Sequence, residues 1–279
     1  VLAGGGSLGV VEVGMLQALT DHGLRPDLVV GSSVGAINSV FYAAHPTLEG
    51  IQRLEHIWRA LRREHVFPLS LTALACGLLG PRPHLLNPAA LRHLLQTHLP
   101  IERLEEARVP VCVMATDVLS GAEIRLTSGP AVPALLASTA IPGLFPPVTI
   151  GARVLVDGAV ANHTPISAAI ALGATRLIVL PAGFPCAKTD APTGALAMAL
   201  HALNVLTAHQ LARDVERFSD HAEVLVVPPL CPLELPAYDF GGAGQAIDRA
   251  KDSTAAWLHS GGLDAPPDTS KLAPHHHHM

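Results

Sequence analysis

Apolar and polar positions along the 279-residue chain fall into two alternating kinds of stretch. Short apolar, β-branched runs at residues 28–30, 111–115, 176–180 and 224–227 suit strands buried on both faces. Residues 1–3 read as a further strand, and 153–156 as another that ends at Asp157. Between the runs lie helical patterns at 8–22, 34–44, 48–61, 88–98, 195–218 and 245–259. This alternation predicts an α/β fold in three layers, α/β/α, with a mostly parallel central sheet and helices on both of its faces. Residues 64–100 break the rhythm: they are rich in Leu and Pro, carry no strand signal, and read as an insertion over one end of the sheet. Two long uncharged stretches, 126–152 and 191–212, are interrupted by prolines or by polar residues. They read as soluble core rather than as membrane spans.

The strongest local chemistry is Gly31-Ser32-Ser33-Val34-Gly35, placed between a strand and a helix. A serine on such a sharp turn takes a strained backbone, and flanking side chains would clash, so Gly31 and Gly35 are the residues the turn requires. The helix that follows aims its positive end at Ser33. A second signal, Gly4-Gly5-Gly6-Ser7-Leu8-Gly9, also joins a strand to a helix and exposes backbone N–H groups as an anion cradle. It formally matches a dinucleotide loop, but the next strand ends in the serine turn rather than in the acid such a site needs. A third signal is Asp157-Gly158-Ala159, which puts a carboxylate at a strand exit. It reads either as a turn cap or as a base for the serine. Histidines are the usual bases for serine, yet of those outside the tail only His163 stands beside another signal.

Composition narrows the function. The chain is 49% hydrophobic and 15% charged with a net charge of −5, and it has no basic block to neutralise phosphates, so no nucleic-acid partner is expected. Cys76, Cys112, Cys186 and Cys231 are isolated, which fits buried thiols in a reducing compartment rather than a zinc or disulfide framework. No His/Cys/Asp cluster has metal-ligand spacing, so no metal is expected. Residues 1–265 read as one domain and 266–279 as a tail with a histidine tag. Val1 reads as part of a strand, so the natural start is expected upstream, and whether an export leader precedes it stays open.

Taken together, these motifs resemble the patatin-like phospholipases. The resemblance covers roughly residues 1–170 and includes Ala115-Thr116-Asp117, the stretch 137–148 (A-S-T-A-I-P-G-L-F-P-P-V) and the stretch 157–165. It implies a patatin-like α/β/α fold and a Ser–Asp dyad without histidine, with Ser33 as nucleophile and Asp157 as base. The implied oxyanion hole is made of backbone N–H groups of Gly4, Gly5, Gly6, Ser7 and Val34, with Gly9, Gly31, Gly35 and Gly158 as motif glycines. The substrate would be a lipid or other acyl ester, met in transient contact with a membrane surface from the cytoplasm, and no cofactor would be needed. Two departures stand out: Leu8 replaces the family's frequent Arg or Lys, and Asp-Gly-Ala replaces Asp-Gly-Gly. The Leu-rich insertion, Leu74 and Leu78 included, is expected to wall the acyl chain. An acyltransferase using the same serine and a non-catalytic lipid-binding protein are the competing readings.

Overall fold

A computed structural model describes residues 1–66, 84–183, 195–233, 240–265 and 272. Its elements follow the predicted rhythm, and they are labelled here in chain order. A short 3-10 turn (Gly6–Gly9) leads into α1 (Val10–Asp21), then β1 (Val29–Ser32), α2 (Val34–Ala44), α3 (Leu48–Ala60) and the single turn α4 (Arg63–Val66). Next come α5 (Ala89–His98), β2 (Val111–Asp117), β3 (Glu123–Leu126), α6 (Ala131–Ser138), β4 (Val148–Ile150) and β5 (Arg153–Asp157). The described chain finishes with α7 (Ile166–Ala171), β6 (Arg176–Val179), α8 (Ala195–Phe218), β7 (Glu223–Val226) and α9 (Ala243–His259).

The fold is mixed α/β, its mostly parallel central sheet flanked by helices. β1 and β2 run parallel, as do β6 and β7. Leu2 forms parallel bridges to both Gly31 and Leu180, so the chain's first residues join the two parallel pairs. Antiparallel strands complete one side, with β3 and β5 pairing with β2, and β4 with β5. Side chains alternate across the sheet as the pleat demands. Val29, Val111 and Val113 enter a core with α1, α2, α3 and α9, while Val30, Cys112 and Met114 enter a second core with α7 and α8. Burial on both faces is why β1 and β2 read as unbroken apolar runs.

Five elements were not foreseen: α4, β3, β4, α6 and α7. β3 and β4 have four and three residues and are only partly buried, so they give no periodic signal. Pro133 lies in the first turn of α6, where a missing N–H costs nothing, although it reads locally as a helix breaker. Of the predicted insertion, residues 64–66 and 84–100 are described; Leu91 and Leu95 of α5 are buried in the main core. Leu74 and Leu78 lie outside the described residues.

The cysteine expectation needs a correction. Cys112 is a free, buried thiol whose pKa burial pushes up to about 12, but Cys231 is disulfide-bonded. Isolated positions along a sequence say nothing about distance in space, and it is distance in space that lets a disulfide form. Cys76 and Cys186 lie outside the described residues. Among the described residues, no helix is long and apolar enough to cross a membrane.

Candidate active site

The register of β2 assembles the site. Ser32, at the end of β1, pairs with Met114, and the next β2 residue, Ala115, pairs with Asp157 at the end of β5. Two adjacent positions on one strand therefore bring together residues that are 124 apart in sequence. The Ser33 hydroxyl donates to Asp157 Oδ2 at 2.7 Å.

Ser33 is held in its place by strain. Its φ of 53° makes it the one non-glycine residue with positive φ among those described. The turn is closed so tightly that a Cβ on Gly31 would strike the Gly35 carbonyl and the Ser39 hydroxyl, and one on Gly35 would strike the Leu2 and Ala3 carbonyls. The Ser33 N–H donates to the Ser138 hydroxyl at 3.0 Å, which fixes the elbow from α6. Ser33 is only 6% exposed, and Val34 begins α2 immediately after it.

Asp157 is oriented from several directions. Its N–H donates to the Ala140 carbonyl, its carbonyl accepts from the Thr116 hydroxyl at 2.8 Å, and its Oδ1 accepts from the Ala159 N–H at 2.8 Å. Oδ2 is thereby turned to Ser33. Burial raises the carboxyl from its ordinary value of 3.8 to about 7, and the bonds from Ser33 and Ala159 only partly oppose this. A cap for the turn and a partner for serine were alternatives on sequence grounds. The carboxylate does both, one oxygen for each.

The glycine loop lies opposite. Gly6, with φ 60°, lines the cavity that contains Ser33 and Val34. Among the described residues, no acceptor meets the N–H groups of Gly5, Gly6 or Val34. Gly4 departs from the expectation for it: its N–H already donates to the His163 carbonyl at 3.0 Å, so it is not free for an oxyanion. Ser7 is buried. Gly9 packs on Val34, where a Cβ would come within 2.6 Å of both Val34 methyl groups, and a Cβ on Gly158 would strike the Met114 carbonyl. His163 supports the loop and is far from ionising, since burial lowers its pKa to about 4. Asp117 caps the turn after β2, accepting from Leu119 and Ser120 N–H groups, and these bonds hold it below the ordinary carboxylate range.

The cavity beside Ser33 is narrow, about 70 Å³, and its wall is almost wholly apolar. Phe41 of α2, Trp58 of α3 and Leu91, Leu94 and Leu95 of α5 line it, with Ile141 and Phe145 from the segment after α6. The segment 137–145 thus contributes Ser138 to the elbow, the Ala140 carbonyl to Asp157, and two side chains to the cavity. Sequence reasoning gave Ser138 no role, because its contact with Ser33 spans 105 residues and leaves no local pattern. Among the described residues, no group of three His, Cys, Asp or Glu side chains is arranged to hold a metal ion.

Known proteins similar to this chain share a family. The family model for patatin-like phospholipase matches residues 1–170. An uncharacterized NTE family protein of Mycobacterium bovis is 32% identical over 195 residues, covering 68% of this chain and 28% of that protein. A lysophospholipase NTE1 of Mycosarcoma maydis is 26% identical over 192 residues, 66% of this chain and 9% of that protein. The solved structure of VipD from Legionella pneumophila aligns with 93% of this chain and 66% of its own, at 14% identity and a TM-score of 0.45. The chain spans less than half the length of the curated relatives it matches. With a model of that family matching residues 1–170, the chain belongs to the patatin-like phospholipases.

Proposed function

We propose that the protein hydrolyses carboxylic esters of lipids through an acyl-serine intermediate, with Ser33 as nucleophile and Asp157 as the sole base. The observation that carries this reading is the 2.7 Å bond from the Ser33 hydroxyl to a buried carboxylate, made beside an apolar cavity. Ser33 Oγ attacks the ester carbonyl as its proton passes to Asp157 Oδ2. The developing oxyanion is met by the N–H groups of Gly5, Gly6 and Val34, at the positive ends of the first helical turn and of α2. Collapse of the tetrahedral species expels the alcohol, which takes the proton back from Asp157. Water, deprotonated by the same carboxylate, then attacks the acyl-serine, and the fatty acid leaves with Ser33 restored.

The raised Asp157 pKa suits this work. A carboxylate of ordinary pKa is a feeble base toward an alcohol, and desolvation narrows the gap. The apolar cavity accepts the acyl chain and excludes water from the dyad. Hydrolysis of p-nitrophenyl esters from acetyl to palmitoyl, with wild type beside Ser33→Ala, tests the proposal. Turnover lost in Ser33→Ala, together with a fluorophosphonate adduct on Ser33 by mass spectrometry, is the expected result. Turnover that survives in Ser33→Ala would remove the serine from the mechanism.

A further inference from the structure

The mechanism leaves one buried carboxyl unused. Glu12 on α1 is fully buried, and its Oε1 has no hydrogen-bond partner among the described residues. Packing alone gives no reason to keep such a group, because an apolar side chain of the same size would fill the space without desolvating an oxygen. Burial raises the carboxyl well above the ordinary range, and the hydrogen bond from Asn38 is the largest influence that opposes it.

Its neighbour explains it. Asn38 lies on α2, a little over one turn beyond Ser33, and is also fully buried. The Asn38 Nδ2 donates to the Gly9 carbonyl at 2.9 Å and to Glu12 Oε2 at 2.7 Å. Its Oδ1 accepts from Trp58 Nε1 at 3.0 Å. An indole N–H only donates, so the carboxamide cannot flip, and both of its amine hydrogens are directed at Gly9 and Glu12. The glycine loop and the serine turn belong to different segments, and the oxyanion donors are divided between them. Asn38 ties the end of the loop to the helix that starts at Val34, where Gly9 already packs against the Val34 methyl groups.

We infer that Asn38 and Glu12 are positioning residues for the oxyanion side of the site, Asn38 fixing the glycine loop against the serine's helix and Glu12 fixing the Asn38 amide. The inference rests on the acyl-hydrolase reading above. Its consequence is specific: loosening the clamp weakens binding of the tetrahedral species more than binding of the ground-state ester.

The test uses the full chain with p-nitrophenyl butyrate as substrate and a trifluoromethyl ketone of matching chain length as a tetrahedral mimic. Active sites are counted with a fluorophosphonate. Asn38→Ala and the milder Asn38→Ser are expected to lower kcat per titrated site by about 10²-fold, with KM changed by less than about threefold. The ketone Ki is expected to rise by the same factor as kcat falls. Glu12→Gln keeps an acceptor for Asn38 and should hold kcat within about threefold, whereas Glu12→Leu should fall as Asn38→Ser does. Should Asn38→Ala not fold, Asn38→Ser and the Glu12 pair decide the matter. A purely structural role lowers the number of titrated sites and leaves Ki and kcat per site at wild-type values; that result overturns the inference alone. A wild type without Ser33-dependent turnover overturns the hydrolase reading, and this inference with it.

Discussion

The raised pKa of Asp157 separates activity from stability in a way that can be measured. In the folded protein the carboxyl holds its proton up to about pH 7, whereas in the unfolded chain it releases it near 3.8. Between those values the native state binds more protons than the unfolded state, so stability falls as pH rises through that window and is level above it. About three pH units at about 1.4 kcal/mol each amount to about 4 kcal/mol of stability forgone at pH 8. Asp157→Asn cannot ionise and escapes this cost, in which the bond from Ser33 is already counted. The variant should therefore melt several degrees above wild type at pH 8, about 5–10 °C for a chain of this size, and close to it at pH 4. Thermal unfolding of both proteins from pH 4 to 9 provides the difference curve, and other titrating groups cancel in it. Over the same range, wild-type kcat/KM should rise through an apparent pKa near 7, with Asp157→Asn inactive throughout. A melting difference that stays flat with pH, or wild-type activity undiminished at pH 5, would refute the assignment of Asp157 as a desolvated base.

Other expectations follow from the packing around the dyad. Ser138→Ala leaves the buried Ser33 N–H without its acceptor and should cost about 1–3 kcal/mol in denaturant unfolding, with a drop in kcat beyond any loss of folded protein. Gly35→Ala sets a methyl against the Leu2 and Ala3 carbonyls and should destabilise by about 3 kcal/mol or more, read as loss of soluble, fluorophosphonate-reactive protein. Leu94→Trp narrows the cavity and should lower kcat/KM for octanoyl relative to butyryl esters by about tenfold or more, while Leu94→Ala shifts the preference to longer chains. Leu95→Ala opens a hole at a site 1% exposed and should cost about 2–5 kcal/mol in thermal or chemical unfolding.

What the sequence discloses here is what local backbone geometry demands. The serine turn announces itself because a strained residue needs glycines on both sides, and Asp157 because a strand exit needs a glycine after it. The strands β1 and β2 are legible because burial on both faces makes Val29-Val30 and Val111 to Ala115 unbroken apolar runs, with polar residues only at their ends. Contacts set by tertiary approach left no such trace. Ser138 meets Ser33 only because α6 packs at the end of the sheet, and the Gly4 N–H is consumed by a carbonyl from beyond β5. Glu12 is an intermediate case. It is the one acid in the apolar run of residues 8–20, and since α1 is buried on all sides from Val10 to Thr20, that acid was bound to be buried too. Its partner Asn38 and the purpose of the pair depend on how three helices cross, which no periodicity encodes.

The register of β2 also sets where this protein can change length. Met114 holds the arm that leads through Ser32 to Ser33, and Ala115 the arm that ends at Asp157, so the hydrogen-bond ladder, rather than any loop, fixes the spacing of Ser33 and Asp157. One residue inserted inside Val111–Asp117 would move one arm past the other by about 3.3 Å and turn the following side chains to the opposite face. The same insertion in the exposed turn at 118–122 would leave both arms where they are. The connections around this strand can thus lengthen, while the strand itself cannot shift its frame by one.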